Sequence, residues 1–403
     1  MALGRLGREY LLFGHIRDRG LMPALAARFG PPATEEISIL EWMGASPIYT
    51  RRMRRAMRIE GDDVAALMKS LQLDVGFPHG YMDVGYEVES ASRGYFWLKS
   101  CGALLDVEPF GEKAVRSICH AIEDPTFDAT AYATNPRARM RPVHRPPRQP
   151  AGRVPHCRWE ISIDPAAEPV PEPEITRAVR ASRLVDFELD PPDVPAEAGR
   201  SDYSGPFDPG FSLDDLSRKA LVIVCKEFLL QNQLLARSAM LALRERYGVE
   251  AARELVTAQW RGLAPLSTRR LCRAMAIEGD DAASVLKLLQ LHPVFPRDYL
   301  RMGFELIDRT RAAFWIEDCA ALEDPEPRGF LSLLDDPACP GLNAMVQAVN
   351  PRARCRRVDP ASRAAAALAW EIGIDPDAEP APEPNEARFL ARSTVAAARL
   401  ELS

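Results

Sequence analysis

The feature that most constrains this chain is that it contains itself twice. Thr50-Arg-Arg-Met-Arg-Arg-Ala-Met-Arg-Ile-Glu-Gly-Asp-Asp63 returns as Thr268-Arg-Arg-Leu-Cys-Arg-Ala-Met-Ala-Ile-Glu-Gly-Asp-Asp281, a shift of about 218 positions. At that shift the register holds without a gap from Glu9 against Glu227 to Pro109 against Pro327, with roughly four in ten residues identical. Further on, Asn135-Pro-Arg-Ala-Arg139 recurs as Asn350-Pro-Arg-Ala-Arg354, and Trp159-Glu-Ile-Ser-Ile-Asp-Pro165 as Trp370-Glu-Ile-Gly-Ile-Asp-Pro376. The unit is too long for a solenoid element of about 20 to 50 residues. Two copies of one domain are expected, packed face to face with approximate two-fold symmetry like an intramolecular homodimer. Residues 1–165 form the first repeat and 211–403 the second. Between them, 166–210 reads as a Pro-rich linker: Glu168-Pro-Val-Pro-Glu-Pro173 and Asp190-Pro-Pro-Asp-Val-Pro195 lack donors and favour extended chain, with one short helix around Ile175 to Leu184.

Each copy begins helical and then changes period. Tyr10, Leu11, Ile16, Leu21, Leu25 and Phe29 fall near helical spacing before Gly30, and Val64, Leu67, Met68 and Leu71 form a second stripe. Gly61 breaks one helix and Asp62 is expected to cap the next. Val84–Val88 and Tyr95–Leu98 read as an antiparallel hairpin, Gly111 to Ala133 as a helix interrupted near Asp124-Pro125, and Arg137–Val143 and Arg158–Ile163 as two more strands. The class is α+β: helices first, then a small antiparallel sheet crossed by a helix.

Composition removes several functions. With 403 residues, 47% hydrophobic and 27% charged, the chain has the balance of a globular protein, and its net charge of -6 gives no general attraction to nucleic acid or to an anionic membrane. No apolar run of about 18 residues predicts a membrane span, and the opening Met1-Ala-Leu-Gly-Arg5 begins no secretory signal, so a cytoplasmic location is expected. The eight cysteines show no disulfide-framework spacing. Dinucleotide, P-loop, serine-hydrolase and His-Glu-x-x-His signatures are all missing.

Comparing the copies separates fold from chemistry. His15, Asp83, the pair Cys119-His120, His144 and His156-Cys157 occur only in the first; Gln233 and Asp359 replace His15 and His144. Imidazole is both a common metal ligand and the usual acid/base near neutral pH, so the first copy is the expected active one and the second a scaffold. The sharpest constellation is Cys119-His120-Ala-Ile-Glu123: on a helix, residues three apart share a face, so His120 and Glu123 converge. Adding His144 gives a two-histidine, one-carboxylate set suited to iron or zinc activating water. A softer alternative joins Cys101, Cys119 and Cys157 with His120 in a closed structural zinc site. Arg137, Arg139, Arg141, Arg145, Arg148 and Arg153 crowd one segment, and guanidinium forks there suit a carboxylate or phosphate.

The order of these residues resembles a known family. A strand ending Phe96-Trp-Leu-Lys-Ser-Cys101, a helix carrying Cys119-His120, and a strand beginning Cys157-Arg-Trp-Glu-Ile161 are similar to the L-2-amino-thiazoline-4-carboxylate hydrolase-like family and, more distantly, to cysteine-bearing 4-vinyl reductase domains. The likeness spans about Val84 to Ile163. It implies an α+β ligand-binding fold, with hydrolysis of a small heterocyclic carboxylate at one end of the range and zinc-supported sensing at the other. The tandem duplication and the His144-Arg-Pro-Pro-Arg148 loop depart from both.

The resulting expectation is a divalent-metal-dependent hydrolase or lyase for a small carboxylate-bearing molecule. His120, Glu123 and His144 hold the iron or zinc, Glu108 serves as acid/base with Cys101, Cys119 and His15 assisting, and Arg139 and Arg145 anchor the anion. The alternative is a non-catalytic small-molecule-binding or sensor module with a structural metal. Neither reading involves nucleic acid or membrane, and both leave the pairing of two chains into a homodimer open.

Overall fold

The computed structural model of the chain describes residues 2–195, 197–363 and 365–399. Two long helices, α1 (Ala2–Phe29) and α2 (Pro31–Ala56), open it. Gly30 joins them at φ 86°, a left-handed conformation that suits glycine, and Pro31 supplies a pre-set φ at the first helical position. α3 (Val64–Leu71) follows, and its cap lies one residue later than expected. The Asp63 carboxylate accepts from the Ala66 N–H at 2.8 Å, whereas Asp62 offers its carbonyl to the Asn135 side chain at 3.0 Å. The Asn-Pro-Arg-Ala-Arg run thus ties the sheet to the helix start.

The first sheet is built from β1 (Met82–Ser90), β2 (Arg93–Cys101), β3 (Ala138–His144) and β4 (Cys157–Ile163), all antiparallel in the order β1-β2-β4-β3. Cys157, Trp159 and Ile161 alternate inward along β4, and Phe96 lies opposite Trp159 with the two rings stacked. Between β2 and β3 run α4 (Gly102–Val107), α5 (Glu112–Arg116), a π turn over Ser117–Ile122, and α6 (Glu123–Tyr132). The interruption expected at Asp124-Pro125 therefore falls just before it. Pro125 brings no N–H to the preceding turn and its ring crowds the carbonyl four residues back, so the helix widens there.

Segment 166–210 does not hang free. α7 (Glu174–Val179) packs on α2, where Thr176 donates to the Met43 carbonyl, and the fully buried Tyr203 donates to the Gln72 side chain. α8 (Arg218–Ala274) is two helical stretches meeting at a kink at Gly248, whose φ of 84° is close to the 86° of Gly30 between α1 and α2. Then come α9 (Ala282–Leu291), β5 (Met302–Leu306), β6 (Arg311–Glu317), α10 (Ala320–Glu323), α11 (Pro340–Val349), β7 (Ala353–Val358) and β8 (Ala366–Ile374), with the sheet in the order β5-β6-β8-β7. Short helices α12 (Ala387–Leu390) and α13 (Thr394–Ala397) end the described chain. The class is α+β, with two four-stranded antiparallel sheets outside a core of long helices.

The contacts between the halves are reciprocal. Arg52 pairs with Glu227 at 2.8 Å, and Arg270 pairs with Glu9 at 2.8 Å, both pairs being nearly closed to solvent. Each of these arginines also donates to carbonyls of a crossing strap: Arg52 to Leu184 and Phe187, Arg270 to Val395 and Ala398. The hydrophobic core is one cluster running through both halves. Among the described residues no helix is long and apolar enough to cross a membrane.

Candidate functional site: a cavity in the first half

A cavity of about 520 Å³ lies between α1, α2, α4, α6 and the inner face of the first sheet. Its apolar wall comes from Trp42, Phe77, Leu98, Phe127 and Met22, and Phe389, Arg392 and Ser393 from the far end of the chain stand at its mouth. Polar groups enter this wall from α1 (His15, Asp18, Arg19), from α2 (Tyr49), from the loop after α3 (Asp74) and from α4 and α6 (Asp106, Glu123).

Each polar group has a defined environment. His15 Nε2–H donates to the Gly76 carbonyl at 3.2 Å while Nδ1 accepts from Arg19 at 3.1 Å, which fixes the neutral tautomer. Burial, reinforced by the Arg19 charge, pushes the His15 pKa down to about 3. Arg19 pairs with Asp106 at 2.9 Å and donates to the Tyr81 hydroxyl. Asp74 accepts from Tyr49 at 2.9 Å and from the Gly76 N–H at 2.7 Å, yet burial raises its carboxyl to about 6. Burial likewise raises Asp18 to about 6 and Glu123 to about 8. Asp18 Oδ1 and Glu123 Oε2 are shut off from solvent and have no hydrogen-bond partner among the described residues. Behind Asp18, Arg17 and Glu41 form a fully buried pair at 2.9 Å.

The expected site residues divide. His15 and Glu123 line the cavity, as does Cys157; the other expected groups are absent from its wall. The structure does not gather His120, Glu123 and His144 into a ligand set, and among the described residues no group of three His, Cys, Asp or Glu side chains is placed to hold a metal ion. The reason is the π turn. It carries His120 and winds wider than 3.6 residues per turn, so the face shared at three-residue spacing is lost. His120 Nε2 lies 2.6 Å from the Pro146 carbonyl, while His144 sits at the end of β3 opposite Arg158.

Glu108 forms a two-pronged pair with Arg148, both contacts at 2.7 Å, outside the cavity wall. Cys101 caps α4, its sulfur accepting from the Leu104 N–H, and burial pushes its thiol up to about 12; burial also pushes Cys119 far up. Neither is a thiolate near neutral pH. Arg139 is occupied by the carbonyls of Pro136, Ala138 and Glu168, and Arg354 makes the matching bonds to Pro351, Ala353 and Glu379, which marks a structural clasp. Arg145 pairs with Asp124, donates to the Cys119 carbonyl and lies over Trp159.

Sequence reasoning did not single out Asp18, Asp74, Tyr49, Trp42 or Asp106 as site residues. One signal was available for three of them: at the 218-residue shift Asp18 becomes Ala236, Tyr49 becomes Ser267 and Asp74 becomes His292. The second half fills the matching space. Trp260, the counterpart of Trp42, donates to Met345 sulfur at 3.4 Å and lies against Phe330, and a Cβ on Gly341 would sit 2.1 Å from its ring. Gly329 packs against Ala236, where an aspartate would not fit. A wider groove of about 650 Å³ lined by Arg51, Arg54, Arg55 and Arg58 also exists, but Arg54 and Arg55 are engaged by the carbonyls of Gly61 and Val185. No family model, no curated protein and no solved structure matches the chain.

Proposed function

We propose that the chain is a tandem duplicate folded as an intramolecular pair, in which the first half is a binding chamber for a small organic molecule and the second half is its scaffold. The common strand order, the twin bends at Gly30 and Gly248 and the exchanged Arg–Glu pairs support the pairing. The observation that carries the binding role is the roughly 520 Å³ cavity with an aromatic wall and two buried carboxyl oxygens lacking partners. Concave, largely apolar spaces with a few convergent polar groups are the usual form of small-molecule sites. This favours the binding-module alternative of the sequence reading, the sensing end of the family resemblance, over metal-assisted hydrolysis, for which the expected ligands are not assembled.

The test uses the neutral fluorescent probe N-phenyl-1-naphthylamine. Wild-type protein is expected to enhance its emission with one saturable site, and Thr130→Trp, which fills the cavity from α6, is expected to abolish the enhancement while the far-ultraviolet circular dichroism stays unchanged. Equal enhancement by both proteins refutes the chamber.

A further inference from the structure

The charges around the inner corner of the cavity do not balance. Two guanidinium groups stand there, Arg17 2.9 Å from Glu41 and Arg19 2.9 Å from Asp106, among four carboxyls, Asp18, Glu41, Asp74 and Asp106. His15 is held neutral between Gly76 and Arg19. Two of the carboxyls, Asp18 and Asp74, are left without an ion-pair partner among the described residues, and Asp18 Oδ1 makes no hydrogen bond at all. Trp42 and Tyr49 line the cavity with Asp18 and Asp74, and the Tyr49 hydroxyl donates to Asp74 at 2.9 Å, so aromatic side chains stand beside the acids. Buried acids beside aromatic faces stabilise a cation twice over, by charge and by the ring quadrupole. The second half changes the same corner: Ala236, Gln259 and His292 stand where the first half has Asp18, Glu41 and Asp74, Leu235 replaces Arg17, Asp324 keeps the place of Asp106, and Gly329 and Gly341 pack closely on Ala236 and Trp260.

Resting on the chamber reading above, we infer that the ligand is an organic cation, a protonated amine on an apolar body, with its ammonium group seated at Asp18 and Asp74 against Trp42 and Tyr49. The body extends toward Phe77 and Phe127. An anion is disfavoured by the surplus of carboxyls, and a molecule without a donor leaves Asp18 Oδ1 without a hydrogen-bond partner.

Three probes of one shape test this by displacement of N-phenyl-1-naphthylamine: 4-phenylbutylamine, 4-phenylbutan-1-ol and 4-phenylbutyrate. The amine is expected to compete at least about tenfold better than the alcohol, with the carboxylate weakest. Asp18→Asn is expected to bring the affinity ratio of amine to alcohol down to about one, with the far-ultraviolet circular dichroism unchanged to show that the variant folds; Asp74→Asn gives the same result independently. The amine's affinity is expected to rise between pH 5 and 7, as Asp18 and Asp74 ionise, and the alcohol's to stay flat. His15 and Glu41 face the same corner. His15 stays neutral over that range, Glu41 and the cavity-lining Glu123, which burial holds up to about 8, ionise above it, and the Arg17 and Arg19 guanidinium groups stand beside Asp18 throughout. An alcohol that binds as well as the amine, or an Asp18→Asn protein that keeps the preference, overturns the cation assignment and leaves the chamber standing. If neither the fluorescent probe nor the amine binds wild-type protein, the chamber is refuted and this inference falls with it.

Discussion

Glu123 provides a test of the cavity that needs no ligand. Its Oε2 has no partner and burial lifts its pKa from 4.5 to about 8. The unfolded chain ionises this carboxyl near 4.5, so between pH 4.5 and 8 the folded protein keeps a proton that the unfolded chain gives up. The stability that this group contributes is therefore complete below pH 4.5 and is lost as the pH rises to 8, at about 1.4 kcal/mol per unit. At pH 7 the loss amounts to about 3 kcal/mol. Glu123→Gln keeps the shape and removes the titration. Urea unfolding of both proteins at pH 5, 6, 7 and 8 is expected to show the variant gaining on wild type by about 1.4 kcal/mol per unit, with little difference at pH 5. Asp18, Asp74, Glu41 and His15 carry their own pH dependence, but they are common to both proteins and cancel in the difference. A difference that stays flat from pH 5 to 8 would show that Glu123 is solvated, and the buried-acid account of the cavity would fail.

Three further outcomes follow from the packing. Arg270→Met strands the buried Glu9 carboxylate and frees the Val395 and Ala398 carbonyls, so urea unfolding should show a loss of about 3–5 kcal/mol; a loss below about 1 kcal/mol would mean that the exchanged pair does not hold the halves together. Gly341→Ala places a methyl group 2.1 Å from the Trp260 ring and should cost about 1–3 kcal/mol by denaturant melt, with a shifted tryptophan emission; an unchanged spectrum would contradict the filled second half. Phe389→Ala removes one ring from the cavity lining and leaves the carbonyls that hold Arg270 in place, so stopped-flow release of N-phenyl-1-naphthylamine should be faster than from wild type; an equal rate would show that this ring does not close the cavity.

Much of the architecture is legible because it depends on local rules. Gly30 ends a helix through its own φ of 86°, although α2 stops at Ala56, before the break expected at Gly61, and inward alternation along Cys157, Trp159 and Ile161 marks a strand without reference to its neighbours. The hairpin at Val84–Leu98 and the closing strands were read within a few residues of their observed bounds. The candidate site was less legible. His120 and Glu123 were joined by assuming a regular helix, and a proline two residues past Glu123 widened the turn so that the two side chains diverge. Arg139 looked like an anion anchor, but the carbonyls that occupy it include that of Glu168, well away in sequence.

The amino-acid order by itself determined the element types, the repeat, and the asymmetry that directs attention to the first half, since periodicity, turn chemistry and self-similarity are properties of short stretches. Only the tertiary structure decided which polar groups share a space. Asp18 and Asp74 lie far apart along the chain, and a charge inside an apolar helical stripe is indistinguishable in sequence from one facing water. Whether it is paired, stranded or solvated depends on what the rest of the fold places opposite it, and here that is an aromatic-walled cavity.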